Sequence, residues 1–224
     1  ENHVKSVLAY EFSHKYKHDR YLRLANFSVQ PDNPKRLQRI SQLIADIMGD
    51  IAFRVEKKHP AIEHYVQDHG YVPLWVLVNV LTLGRISTFY ANMKQEDRQN
   101  VAKHFSVPEN VMESYLRVLT LFRNCCAHDD RFYSLRSTNG IPDSEIHARL
   151  TVYKNPQGQY LRGKKDVFAQ LIILAVLLPK PEFVVVVKEL TVAVGRLEKK
   201  LHSVPINDIL RKMGFPQNWQ DIKQ

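Results

Sequence analysis

The 224-residue chain is short of the residues that most often announce a chemistry. Its only two cysteines are the neighbours Cys125 and Cys126. Adjacent cysteines rarely bridge each other, so neither a disulfide framework nor a cysteine-based zinc set can be built, and a reducing cytoplasm is the expected setting. Glycine is scarce, at eight residues. None belongs to a Walker-type phosphate loop or a G-x-S-x-G elbow, and no H-E-x-x-H pair occurs, which argues against a nucleotide-binding α/β fold and the stock hydrolase sites. His59, His64 and His69 fall five apart, a poor spacing for one helical face, so no metal and no cofactor is expected. The longest apolar run, Val167 to Leu178, is interrupted by Gln170 and closed by Pro179-Lys180-Pro181. A spanning helix needs about 20 apolar residues, so this run reads as a core helix and no membrane partner is expected. The start, E-N-H-V-K-S, carries no signal-peptide pattern and no Met, which fits a fragment whose own beginning lies upstream. No repeat, low-complexity tract or linker divides the chain, so one helical domain over residues 1–224 is expected.

What is present is an ordinary globular composition, 44% hydrophobic and 25% charged, with a net charge of +9. A pI near 9.5 directs attention to a polyanionic partner, of which nucleic acid is the commonest.

The apolar spacing is helical almost throughout, and the expected fold class is all-α: a bundle of about seven to nine helices. Val4, Val7, Leu8 and Phe12 mark a first helix, and Tyr21, Leu22 and Leu24 a short second one. Pro31-Asp-Asn-Pro34 reads as a turn in which Asp32 or Asn33 caps the helix carrying Leu37, Ile40, Ile44, Ile47, Ile51 and Val55. A short segment from Ala61 to Gly70 precedes Pro73, the opening of a helix bearing Trp75, Val78, Leu81, Ile86 and Phe89. Trp75 and Tyr90 read as core. Gln95 to Phe105 is a short helix, and Ser106-Val-Pro-Glu109 has the spacing of a capping box for the next. Residues 150–161 read as a small β-hairpin around Asn155-Pro-Gln-Gly158. Phe183, Val187, Leu190, Val194, Leu197 and Leu201 keep a 4-3 spacing that favours helix over the strand propensity of Val184–Val187. The tail, through Ile209 to Trp219, is expected to pack on the bundle.

The chemistry concentrates between Ser114 and Arg136. Tyr115, Leu116, Leu119, Phe122 and Cys126 recur at three- and four-residue spacing and predict a buried stripe. Directly behind them stand Arg123, Asn124, His128, Asp129, Asp130 and Arg131. In a helix Asn124 and His128 are one turn apart. Arg123 and His128 are five apart, roughly 140° around the axis, a gap that a long guanidinium side chain spans most easily where the helix ends.

The run Arg123-Asn-Cys-Cys-Ala-His128 resembles the R-N-x-x-x-H form of the HEPN ribonuclease motif, an Arg followed four to six residues later by a His. The wider context, Pro73-Leu-Trp75, Leu83-Gly84, Phe89-Tyr90 and Arg123 to Arg131, resembles the Abi family of bacterial phage abortive-infection proteins over roughly residues 4 to 200. The gap alone is common: Arg54/His59, Arg98/His104 and Arg196/His202 satisfy it too. The Arg123 pair stands apart through Asn124, the apolar helix ahead of it and Arg131 behind. Where the family often has a second His, this chain has Asp129.

The resemblance implies a toxin that cuts cellular RNA in phage defence, acting as a homodimer in which two motifs face each other through the motif-bearing helix. The residue types suit that chemistry. RNA carries its own nucleophile, the 2′-hydroxyl, so cleavage needs no metal, only proton transfer and a cation for the developing phosphorane charge. His128 is the candidate acid/base because imidazole titrates near neutrality. Arg123 is the candidate phosphate clamp. Asn124 either orients His128 or binds phosphate, and Arg131 holds a flanking phosphate. Lys57, Lys58, Arg162, Lys164 and Lys165 are candidates for an RNA track, against the plainer reading as solvated faces. Two alternatives stay open. The cluster would serve a non-catalytic module that grips a structured regulatory RNA, or Arg123 would pair with Asp129 or Asp130 while His128 caps the helix C-terminus.

Overall fold

The computed structural model describes residues 1–30 and 32–223. Pro31, the first residue of the expected Pro31–Pro34 turn, lies outside them. Among the described residues the fold is all-α: eleven α-helices, two 3-10 segments and no sheet. The chain divides into two compact units, Glu1–Glu113 and Ser114–Gln224.

In the first unit α1 (Asn2–Tyr16) packs on α4 (Leu74–Leu77) and α6 (Gln95–Lys103), while α2 (Pro34–Glu56) packs on α3 (Pro60–His69) and α5 (Leu83–Asn92). The core is aromatic: Phe12 lies 5.0 Å from Phe89 and 5.7 Å from Phe27, ring centre to ring centre. Local rules explain the helix ends. Asn33 caps α2 by accepting from the Arg36 amide at 3.1 Å, with Pro34 in the first turn. Gly70, left-handed at φ 73°, ends α3. Polar ties finish the unit: buried Asp97 accepts from Lys15 at 2.6 Å and from the Tyr16 hydroxyl at 2.7 Å, and Arg85 reaches Asp46 and Asp50.

In the second unit α9 (Val167–Leu177) is the central element, apolar around most of its circumference and largely buried. α10 (Lys180–Glu198) and the 3-10 segment Trp219–Lys223 pack on it, and α11 (Ile206–Lys212) packs on α10. Phe215 lies between Phe168, tilted to it at 5.1 Å, and Trp219, edge-on at 5.4 Å. α7 (Glu109–Ala127) crosses the boundary in the chain, and the short α8 (Glu145–Arg149) follows it.

Several local expectations are corrected. The stretch from Pro73 to Asn92 is not one helix: Thr82 accepts from the Arg85 amide at 3.2 Å and starts α5 afresh. That break, α3 in the segment expected to be a connection, and the short α8 and α11 bring the count to eleven where seven to nine were expected, while the short second helix expected at residues 21–24 is only a 3-10 turn, Leu24–Asn26. Trp75, on the four-residue α4, is 48% exposed instead of core, whereas Tyr90 is fully buried. α7 begins at Glu109, two residues later than a helix capped by Ser106 would, and Ser106 itself sits at φ 54°. Residues 150–161 form no hairpin strands; a single antiparallel bridge joins Lys154 to Tyr160.

His147, buried in the second unit, adds a pH dependence. Its Nε2–H donates to the Gly163 carbonyl at 2.9 Å, and its Nδ1 accepts from the Ser144 amide at 3.1 Å. Burial pushes the imidazole below its ordinary value of 6.5. The unfolded chain therefore binds more protons just below pH 6.5, and the contribution present above that pH is lost as the pH falls. Asp166 is shifted the other way, raised above 3.8 by burial, so its contribution is lost as the pH rises from there. Between pH 7.5 and 5.5 the His147→Asn chain is expected to keep more of its urea midpoint than wild type does; parallel profiles for the two chains would contradict it.

Candidate functional site

α7 sorts its residues by face. Tyr115, Leu116, Val118, Phe122 and Cys125 are buried. The stripe is thus rotated from the expected one: Val118 and Cys125 replace Leu119, which is half-buried, and Cys126, which is exposed. On the opposite side Arg117, Leu121, Asn124 and His128 follow one another at four-, three- and four-residue steps, all exposed. Arg123 lies beside this row and is exposed as well. Arg117 belongs to no motif in the sequence, although its seven-residue spacing from Asn124 places it on the same face.

The helix ends where the chemistry begins. The His128 amide still reaches the Asn124 carbonyl at 3.1 Å, Asp129 turns left-handed at φ 52°, and the Asp130 amide returns to the Cys125 carbonyl at 3.1 Å. This is a Schellman closure with Asp in the place glycine usually takes; Asp is among the few residues that tolerate the conformation. Asp129 is therefore the residue that ends the helix. His128 occupies the cap position, with its exposed side chain at the helix terminus.

The following loop is pinned. Phe132 meets Phe122 edge-on at 5.6 Å, and the Arg131 guanidinium lies 6.0 Å from the Tyr133 ring centre. The Ser137 amide donates to the Lys165 carbonyl at 2.7 Å and the Ile141 amide to that of Lys164 at 2.8 Å. The structure thus brings the Lys164–Lys165 backbone against the segment that follows the motif, with the Lys164 ammonium paired to Asp143. The anchor is Asp166, fully buried. It accepts from the Gly163 amide at 3.0 Å and the Ala169 amide at 3.2 Å, with the Arg136 guanidinium 3.9 Å away.

Lys57 and Lys58 belong to the first unit, at the end of α2, where the Lys57 ammonium sits 5.6 Å from the Phe53 ring centre. One of the rival Arg/His pairs, Arg98/His104, is engaged elsewhere in that unit: Arg98 binds Glu113 at 2.8 Å, and His104 binds Glu11 at 2.7 Å. Burial, with Asp130 and Cys126 beside it, pushes the Cys125 thiol above its ordinary value, which does not suit a nucleophile. Charge also divides unevenly. Residues 114–224 hold 17 Lys and Arg against 10 Asp and Glu, whereas residues 1–113 hold 15 against 13. Attraction for a polyanion therefore centres on the unit that carries the motif. No three His, Cys, Asp or Glu side chains group as a metal site among the described residues, and no helix there is long and apolar enough to cross a membrane.

Compared with known proteins, residues 1–134 match the family model described as Abi-like protein, a stretch that includes Arg123, Asn124, His128 and Arg131. No curated protein and no solved structure matches.

Proposed function

The chain belongs to the Abi-like protein family, and from that premise we propose that it is a metal-independent endoribonuclease of the HEPN type, a cytoplasmic toxin of bacterial phage defence by abortive infection. The observation that carries the reading is the exposed set Arg123, Asn124, His128 and Arg131 at the end of α7. It lies inside the family match and in the more basic unit.

In the proposed reaction the RNA 2′-oxygen forms a bond to phosphorus as the bond from phosphorus to the 5′-oxygen breaks. His128 moves the proton at one of these oxygens, and Arg123 offsets the charge on the non-bridging oxygens through its planar fork. Asn124, one turn before His128, orients the imidazole or shares the phosphate. One chain supplies one Arg and one His, so the complete site is a homodimer with two α7 termini facing each other. The products are a 2′,3′-cyclic phosphate and a 5′-hydroxyl.

A second reading is favoured by the charge excess in residues 114–224, more than one scissile phosphate requires. In it the same face grips a structured regulatory RNA without cutting it. Purified protein incubated with labelled total RNA and tRNA in EDTA separates the two. Fragments in the wild-type lane that are missing with His128→Ala support the nuclease. Intact RNA that shifts on a native gel supports the binding module.

A further inference from the structure

A second surface of the same unit has the chemistry of an RNA subsite. A cavity of about 510 Å³ is lined by Thr151, Val152, Tyr153, Arg162, Pro216, Gln217 and Asn218. A neighbouring one of about 210 Å³ shares Arg162, Pro216 and Gln217 with it and adds Asn207, Arg211 and Trp219, among others. Arg162 stands where the two meet. Neither lining contains a carboxylate. Arg211 is shared with Asp208 at 3.2 Å, but Arg162 has no ion pair or side-chain hydrogen bond among the described residues. A half-buried guanidinium facing two carboxylate-free cavities fits an anion with planar oxygens.

The surroundings narrow the ligand. Tyr153 is 64% exposed at the cavity edge, with its carbonyl held by the Leu161 amide at 3.2 Å. An exposed ring on a held backbone is a stacking platform for a base. Gln217, Asn218 and Asn207 offer amides that both donate and accept, as base edges require. The backbone beside Arg162 is held in place. The next residue, Gly163, takes a left-handed turn at φ 69° and gives its amide to buried Asp166, and a side chain at Gly163 would press on Ile172, Phe168 and His147 at 3.1–3.2 Å.

We propose that this double cavity is a subsite for single-stranded RNA, with a phosphate on Arg162 and a base stacked on Tyr153. It rests on the RNA-directed reading of the α7 motif and extends it, because all of its residues lie beyond the stretch matched by the family model. It gives the second unit a grip on the substrate strand away from the scissile phosphate.

The test uses the full chain carrying His128→Ala, in EDTA, and a short fluorescein-labelled single-stranded RNA whose anisotropy reports binding. Adding Arg162→Gln is expected to weaken binding about tenfold and to lower the salt slope by about one. Adding Tyr153→Ala is expected to weaken it about five- to a hundredfold, the range for losing one stacked base. The exposure of Tyr153 means that this second variant keeps its fold, so a loss there cannot be assigned to misfolding. Unchanged affinity in both variants, in a chain whose parent binds RNA, overturns the subsite and leaves the nuclease reading standing. Affinity that depends on both residues, in a protein whose wild type never cleaves, keeps the subsite and removes the nuclease. A parent chain that does not bind RNA at all overturns the subsite.

Discussion

The His128→Ala chain is expected to lose about 10²–10⁴-fold of its RNA cleavage rate, the range for removing a positioned general acid or base. Its unfolding midpoint should hardly move. His128 is exposed at the cap of α7, its amide bond to Asn124 belongs to the backbone, and surface substitutions of that kind usually stay within about 0.5 kcal/mol. Arg123→Ala should lose a comparable factor, about 10²–10³, through the missing charge on the phosphorane. Arg123→Lys should restore little of it, because an ammonium lacks the fork. Arg131→Ala, by contrast, should weaken RNA binding and leave turnover of saturating substrate nearly unchanged. Parallel rate measurements and thermal melts check the set. A His128→Ala enzyme that cuts at the wild-type rate would remove His128 from the chemistry.

Gly214→Ala is expected to cause the largest loss of stability in the second unit, roughly 3–4 kcal/mol by the measures for core overpacking and left-handed strain combined. Gly214 sits at φ 91°, where side chains are strained, and a Cβ there would overlap the Asp166 carboxylate. That carboxylate cannot give way easily. It caps α9 through Ala169, holds the Gly163 turn and is fully buried. Urea unfolding at neutral pH measures the loss. An Asp166→Ala,Gly214→Ala double variant should show part of the clash removed, so the two costs should not add. A Gly214→Ala chain as stable as wild type would mean that the Asp166 anchor is looser than its hydrogen bonds indicate.

What the sequence disclosed follows the range of the interactions involved. α2, α6, α9 and α10 are legible because periodicity and caps are local signals: Asn33 caps α2 in space as its place in the chain announces. The valine run in α10 is helical because spacing outweighs propensity. The helix expected from Pro73 to Phe89 fails at Thr82, whose capping bond competes with continued helix and wins there. The hairpin expected at 150–161 fails because Asn155 and Gln159 spend their bonds within the turn, leaving one bridge. In α7 either of two stripes satisfies a 3.6-residue period, and burial selects the one through Val118 and Cys125. The Arg123–Arg131 cluster is visible in sequence because it is contiguous. The Arg162 cavities are not, since Tyr153, Arg162 and Asn218 meet only through packing around the Gly163 turn and the C-terminal segment. Asp129 shows the limit of pattern comparison: the resemblance leads one to expect a second His there, yet the residue's left-handed backbone ends a helix.

The central claim, cleavage by the RNA's own 2′-hydroxyl at the α7 terminus, is tested most directly by the ends of the fragments. Wild-type protein would be incubated in EDTA with a single end-labelled RNA, and the products analysed by phosphatase sensitivity and mass. Attack by the 2′-hydroxyl gives 2′,3′-cyclic phosphate and 5′-hydroxyl ends, and no cutting of the same RNA carrying 2′-O-methyl groups is expected. Fragments with 3′-hydroxyl and 5′-phosphate ends, or cutting of the methylated RNA, would contradict it.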